Sequence, residues 1–135
     1  MSSYCYYPKD VDFETLEGQV LSEISGGEQH SEEIIFTTVN GGKYKMYHQQ
    51  DCCESVDVEE IIGDLDDLIG TPILLAEEVS ETGYEDFGSS TWTFYKLSTI
   101  KGHVTIRWLG TSNGYYSESV SFVELEPPSI PDWEV

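Results

Sequence analysis

Short apolar runs separated by glycine-containing turns set the rhythm of this chain. Residues 33–39 and 43–48 are rich in β-branched and aromatic side chains and flank Asn40, Gly41 and Gly42. Runs of this kind form strands, and a three-residue connection with two glycines tolerates the positive φ of a tight hairpin. A second group, residues 72–81, 91–99, 103–109 and 115–125, has short turns after Thr99 and Leu109, which predicts an antiparallel meander. In it Val104, Ile106 and Trp108 alternate with Thr105 and Arg107, while Tyr116, Val120 and Phe122 alternate with serines, so one face of the meander is core. Trp92 and Trp108 both fall on phases that read as internal. Glu118 shares the apolar phase, which requires either a bulge that shifts the register or a partner such as Arg107.

Between the two strand groups the period changes. Ile61, Leu65, Leu68 and Ile69 recur at i, i+4, i+7 and i+8 within residues 58–70, the stripe of a short amphipathic helix or of two 3₁₀ turns, which Gly63 weakens and Gly70 would cap. The stripe would dock on the sheet and leave Glu60, Asp64 and Asp67 in solvent. A short helical turn is also predicted between residues 10 and 18. Residues 126–135 carry three prolines and read as an extended tail, with Trp133 available to tack it down, after a single globular domain over 1–125. The predicted class is α+β: a mainly antiparallel, twisted sheet of six or seven strands in a meander, with one short helix packed on it.

With 135 residues, 39% of them hydrophobic and 13% aromatic, the chain has the apolar mass for one buried core, and this argues against disorder despite the charge. Against 26 Asp and Glu stand 6 Lys and Arg, a formal net charge of -20. Such a surface does not bind DNA or RNA by counterion release, which takes clustered Lys and Arg. No apolar run approaches the roughly 20 residues that span a bilayer. The N-terminal residues lack the basic and apolar regions of a secretory signal, so residence in the cytoplasm is expected. Cys5, Cys52 and Cys53 are odd in number and lack framework spacing, which reads as three thiols in a reducing compartment.

Charge placement says more than charge total. From Met46 to Tyr95 there is no Lys or Arg, while Asp51, Glu54, Asp57, Glu59, Glu60, Asp64, Asp66, Asp67, Glu77, Glu78, Glu81, Glu85 and Asp86 fall there. One reading makes these the partner-binding set, a surface imitating the charge spacing of a nucleic acid, about one charge per 1.7 Å of duplex axis, that engages a partner's basic groove. The other makes them a solvated face that maintains solubility.

Candidate chemistry is thin. His48, Asp51, Cys52, Cys53 and Glu54 gather metal-ligand types, but a structural zinc site pairs Cys or His at short spacing twice and no second pair exists. The favoured reading is that Cys52 or Cys53 is a small buried apolar residue after a hairpin and that His48 ends a strand. Residues 10–21 begin like a calcium loop, yet Thr15 stands where Gly is required and Leu21 where a bidentate Glu belongs. No Ser-His-Asp order, nucleophile elbow or glycine-rich phosphate loop is present, so no catalytic residue, metal or cofactor is assigned and a non-enzymatic protein is expected. A second hypothesis comes from Lys43, Lys45, Lys96, Lys101 and Arg107, which lie on or beside strands in a chain of nine tyrosines; converging on one pocket, they would capture a small nucleotide signal.

The runs Tyr47-His48-Gln49-Gln50-Asp51-Cys52-Cys53, Ile61-Ile62-Gly63-Asp64-Leu65, Thr91-Trp92-Thr93-Phe94-Tyr95-Lys96 and Val104-Thr105-Ile106-Arg107-Trp108-Leu109-Gly110, in that order, carry a resemblance. Over about residues 34–125 the chain resembles the small acidic domains of unknown function common in bacteriophage and prophage genomes. The resemblance implies a phage origin and expression inside a bacterium, and brings no catalytic residue. Small acidic phage proteins as a class include inhibitors of host defence. The expected partner is therefore a host nucleic-acid-binding protein, a CRISPR or restriction-type nuclease whose basic groove the acids occupy, with no membrane and no direct nucleic-acid contact.

Overall fold

The structure, a computed structural model, describes residues 9–50, 53–85, 88–112 and 118–126. Its elements in chain order are β1 (Lys9–Asp10), the 3₁₀ turn η1 (Phe13–Leu16), β2 (Leu21–Ser25), β3 (Glu33–Thr38), β4 (Lys43–Tyr47), β5 (Ser55–Ile62), the 3₁₀ turn η2 (Leu65–Leu68), β6 (Leu75–Glu85), β7 (Gly88–Thr99), β8 (Gly102–Ser112) and β9 (Ser121–Glu126). They form a five-stranded sheet in the order β1-β9-β4-β3-β2 and a four-stranded sheet in the order β5-β8-β7-β6. The pairing is antiparallel in both.

Alternation fixes what each strand buries. Ile34 and Phe36 on β3, Tyr44 and Met46 on β4 and Phe122 on β9 meet Val56 and Val58 on β5, Tyr95 and Leu97 on β7 and Val104, Ile106 and Trp108 on β8 in one shared core. Each such side chain, fully buried, stabilises the fold by roughly 1.5–3 kcal/mol. Trp108 is fully buried and donates its indole N–H to the Met46 sulfur at 3.0 Å, so the one polar atom of the largest core residue is satisfied across the sheets. The hairpin over β3 and β4 is as predicted, with Ile34 opposite Met46 and Phe36 opposite Tyr44. Its connection is one residue longer than the sequence suggested, residues 39–42, with Gly41 at φ 92.

The predicted α+β class is overturned: the described residues hold eight strands of five residues or more, the two-residue β1 and two 3₁₀ turns, but no α-helix. Residues 58–62, assigned to a helix, complete β5. A bulge at Glu59 sets Val58 opposite Trp108 and Ile61 opposite Ile106, so of the apolar stripe only Ile61 lies on the strand, while Leu65 and Leu68 belong to the 3₁₀ turn and Ile69 follows it. At Gly63 (φ 111) the chain turns so tightly that a Cβ would run into the His103 carbonyl oxygen. Only residues 65–68 then coil, capped by Asp64, whose carboxylate accepts the Asp66 N–H at 2.9 Å.

The meander also stops short. β6, β7 and β8 are consecutive neighbours, but β9 leaves them and inserts between β1 and β4 in the other sheet. The turn expected after Leu109 is absent, since β8 continues through Gly110 to Ser112. Gly110 is instead the point where residue 118 crosses the strand: a Cβ there would lie 2.8 Å from the Glu118 carbonyl oxygen and Cβ. Cys53 is disulfide-bonded and exposed, which corrects the reading of three thiols; of the two cysteines offered as the buried residue after the hairpin, Cys53 is not it and Cys52 lies outside the described residues. Cys5, Cys52, Tyr116 and the tail with Trp133 lie outside the described residues. Among the described residues no helix is long and apolar enough to cross a membrane.

Gly63→Ala and Gly18→Ala form a matched test of these turns. Both glycines have positive φ, but nothing lies within 4 Å of a Cβ at Gly18. Gly18→Ala is expected to lose about 1–2 kcal/mol for the left-handed backbone, and Gly63→Ala at least about 1 kcal/mol more for the backbone collision, read from urea midpoints at unchanged m. Equal losses would show that the β5 exit is not as tight as described.

Candidate acidic interface

The outer face of the four-stranded sheet is built by parity. Because Thr93, Tyr95 and Leu97 on β7 and Val104, Ile106 and Trp108 on β8 face the core, their alternate residues face away. Registers then place Val79, Phe94, Arg107 and Glu60 in one row across the sheet, and Glu81, Trp92, Leu109 and Asp57 in the next. Trp92 is therefore half-buried on the outer face, not internal as expected, because it pairs with Leu109 and so takes the opposite phase to Trp108.

The bulge in β5 organises the charge. It sets two consecutive glutamates against one base: Arg107 Nη2 donates to Glu60 Oε1 at 2.6 Å, and Nε lies 2.7 Å from Glu59 Oε1. The second contact is off the N–H axis and is ionic rather than a hydrogen bond. This trio keeps a net negative charge. It lines a cleft of about 890 Å³ with Glu28, Asp64 and Leu65. Beside it Asp57 lies 3.7 Å from His30 Nδ1, and Asp66 and Asp67 lie on η2. At the other edge of the sheet, Glu77 and Glu81 are exposed on this face of β6, while Glu78 is exposed on the opposite face beside Tyr95. Of the remaining predicted acids, Asp51 and Asp86 lie outside the described residues, and Glu85 closes β6 opposite Gly88.

The acids thus form two rows on the two edge strands, separated by β8 and β7. Three strand spacings make the rows about 14 Å apart, similar to the roughly 12 Å width of a duplex major groove. Along β5, Asp57 stands opposite Leu109 and Glu60 opposite Arg107, so Asp57, Glu59 and Glu60 span about 7 Å; on this face of β6 Glu77 and Glu81 lie about 13 Å apart, Glu78 being on the opposite face. The β5 row thus approaches the one charge per about 3.4 Å of each DNA strand, and the β6 row is several times sparser.

Glu54 does not belong to this surface. Its side chain is fully buried, with Oε2 2.7 Å from His48 Nε2, while His48 Nδ1 donates to the Ser119 carbonyl at 2.6 Å. With Nδ1 committed as a donor, one proton lies between Nε2 and Oε2, and the pair ties the end of β4 and the start of β5 to the approach to β9. Cys53 being in a disulfide, the predicted ligand-type cluster is a structural clasp. Among the described residues no three His, Cys, Asp or Glu are placed to hold a metal.

Glu118 has neither of its predicted solutions. It precedes β9, and Arg107 is engaged elsewhere; its carboxylate accepts hydroxyl hydrogen bonds from Ser89 and Ser112, and from Thr91 at 2.8 Å. Burial pushes the Glu118 carboxyl up, but the hydroxyls of Ser112, Ser89 and Thr91 together outweigh it and hold it below the usual carboxylate range. On the same sheet, burial pushes the Tyr95 phenol up, and the neighbouring Glu78 carboxylate, which accepts its O–H at 3.1 Å, pushes it further. The sequence carried a signal for the Glu118 cage only in the Ser and Thr residues of β7 and β8, whose phase was not assigned.

The five cations of the nucleotide hypothesis are dispersed: Lys43 and Lys45 on β4, Lys96 on β7, Lys101 beyond its end and Arg107 on β8. Lys45 lies 3.3 Å from Glu33 and over the Tyr47 ring, and Lys101 donates to the Ile69 carbonyl at 2.7 Å.

A lowered carboxyl stabilises the fold above its ordinary value and loses that contribution as pH falls through the folded value. Glu118→Gln should therefore lower stability by about 1–3 kcal/mol at neutral pH, with the gap from wild type shrinking below about pH 4.5. Urea midpoints across pH check this; a gap that stays constant or widens in acid would contradict the hydroxyl cage.

The family model of a domain of unknown function (DUF7448) matches residues 14–122. The match begins well before residue 34, where the resemblance to phage and prophage domains begins. No curated protein and no solved structure matches the chain.

Proposed function

The chain belongs to that family, and we propose that it is a non-enzymatic inhibitor that imitates a nucleic acid and occupies the basic groove of a nucleic-acid enzyme. The observation that carries this is the pair of acidic rows on β5 and β6, whose separation approaches the width of a duplex major groove and whose denser row, on β5, approaches the charge spacing of one DNA strand. A solvated face needs no such order; here the bulge at Glu59 brings two carboxylates to one position and the sheet holds both rows on rigid strands. Charges so placed speed association and make it steeply dependent on salt. The resemblance to phage and prophage domains names the partner to try first, a host restriction or CRISPR nuclease. Dispersal of the five cations removes the support for a nucleotide pocket.

The test keeps the clasp, the η2 cap and the Arg107 pair intact. The combined variant Asp57→Asn, Asp66→Asn, Glu77→Gln and Glu81→Gln is expected to weaken binding to such a nuclease at least about tenfold, and to flatten its dependence on salt. Duplex DNA should compete with the unmodified protein. Unchanged affinity in the variant, or binding that persists with excess DNA, would overturn the proposal.

A further inference from the structure

The four outer sheet edges are treated differently by the fold. β1 is two residues long. The outer side of β2 is met by bridges from Leu21 to Ile69 and Val20 to Pro72. On β5, Val58 exchanges hydrogen bonds with residues 30–31: the His30 N–H donates to its carbonyl at 2.6 Å, and its own N–H donates to the Ser31 carbonyl at 2.9 Å. β6 is eleven residues long, and among the described residues only its beginning is covered, where Ala76 N–H donates to Glu17 Oε2 at 3.1 Å.

That one bond fixes the parity of the edge. Ala76 points its N–H away from β7, and the β6–β7 register runs unbroken from Leu75 to Glu85. The N–H and C=O groups of Glu78, Ser80 and Thr82 therefore also point outward, and among the described residues none of these groups meets a partner. We infer that the Glu78–Thr82 edge of β6 accepts an extended basic segment of a partner protein as an added strand. An open edge binds another strand through its main chain and selects it through side chains on alternate faces. Here Glu77 and Glu81 flank Val79 on one face, with Glu78 on the other, all six positions from 77 to 82 being exposed or half-buried. The complementary strand carries Lys or Arg two positions on either side of an apolar residue. A second copy of this chain would set glutamates against glutamates across the seam, which is unfavourable. The inference uses the main chain and stands independently of nucleic-acid imitation, which uses carboxylates alone.

Ser80→Pro removes one outward N–H, keeps every carboxylate and touches no bond to β7, as proline on an edge allows. The probe is an end-capped peptide alternating Lys and Val. Its binding to the full chain should slow amide exchange of Glu78, Ser80 and Thr82 at least tenfold. Ser80→Pro should weaken binding at least tenfold while the combined charge variant's DNA-competed partner still binds Ser80→Pro normally. N-methylation of the peptide on the edge facing β6 should abolish binding, and methylation on the opposite edge should leave it intact, a comparison that needs no protein variant to fold. The inference fails if the peptide binds without protecting these amides, if methylation of either edge acts equally, or if the protein forms a dimer that Ser80→Pro dissolves.

Discussion

Phe122 is the contact on which the arrangement of this molecule depends. Its ring stacks on Tyr44 at 5.6 Å with 3° between planes, and meets Phe36 at 6.3 Å and Phe13 at 5.2 Å edge-on. Phe13 then meets Tyr95 of the opposite sheet at 4.7 Å. A continuous aromatic chain thus joins the two sheets, each pair adding about 0.5–1.5 kcal/mol beyond the area it buries. Seating Phe122 there commits β9 to the five-stranded sheet. The chain must then pass over β8 on its way, which brings Glu118 onto Gly110 and the Ser119 carbonyl onto His48.

Both buried carboxylates of this crossing need satisfaction in a chain with 26 acids and 6 Lys and Arg. Glu54 is hydrogen-bonded to His48. Glu118 is held by three hydroxyls without any base, a solution that keeps it ionised through hydrogen bonding. Scarce cations are left for positions where acids crowd: Arg107 sits at the bulge where Glu59 and Glu60 meet, and Lys45 beside Glu33.

The acids on β6 have a second consequence. A long open edge invites pairing between copies, and charge along it opposes that association. The same carboxylates favour a basic partner. Repulsion between copies and attraction to a partner of opposite charge are one property of one edge.

What the sequence determined by itself was local. Asn40, Gly41 and Gly42 between two alternating runs specified the β3–β4 hairpin, and alternation with short turns specified the β6–β8 meander, because both rest on contacts between neighbours in the chain. Tertiary structure decided the rest. Period two says that residues alternate but not which face is inside, so Trp92 and Trp108 looked alike until register separated them. The apolar stripe from Ile61 to Ile69 is divided between the end of β5 and a 3₁₀ turn, and only pairing with β8 revealed it. The departure of β9, the hydroxyl cage around Glu118 and the open edge of β6 all follow from contacts between residues distant in sequence, where many pairings share the same local pattern and only the packing of the whole core selects one.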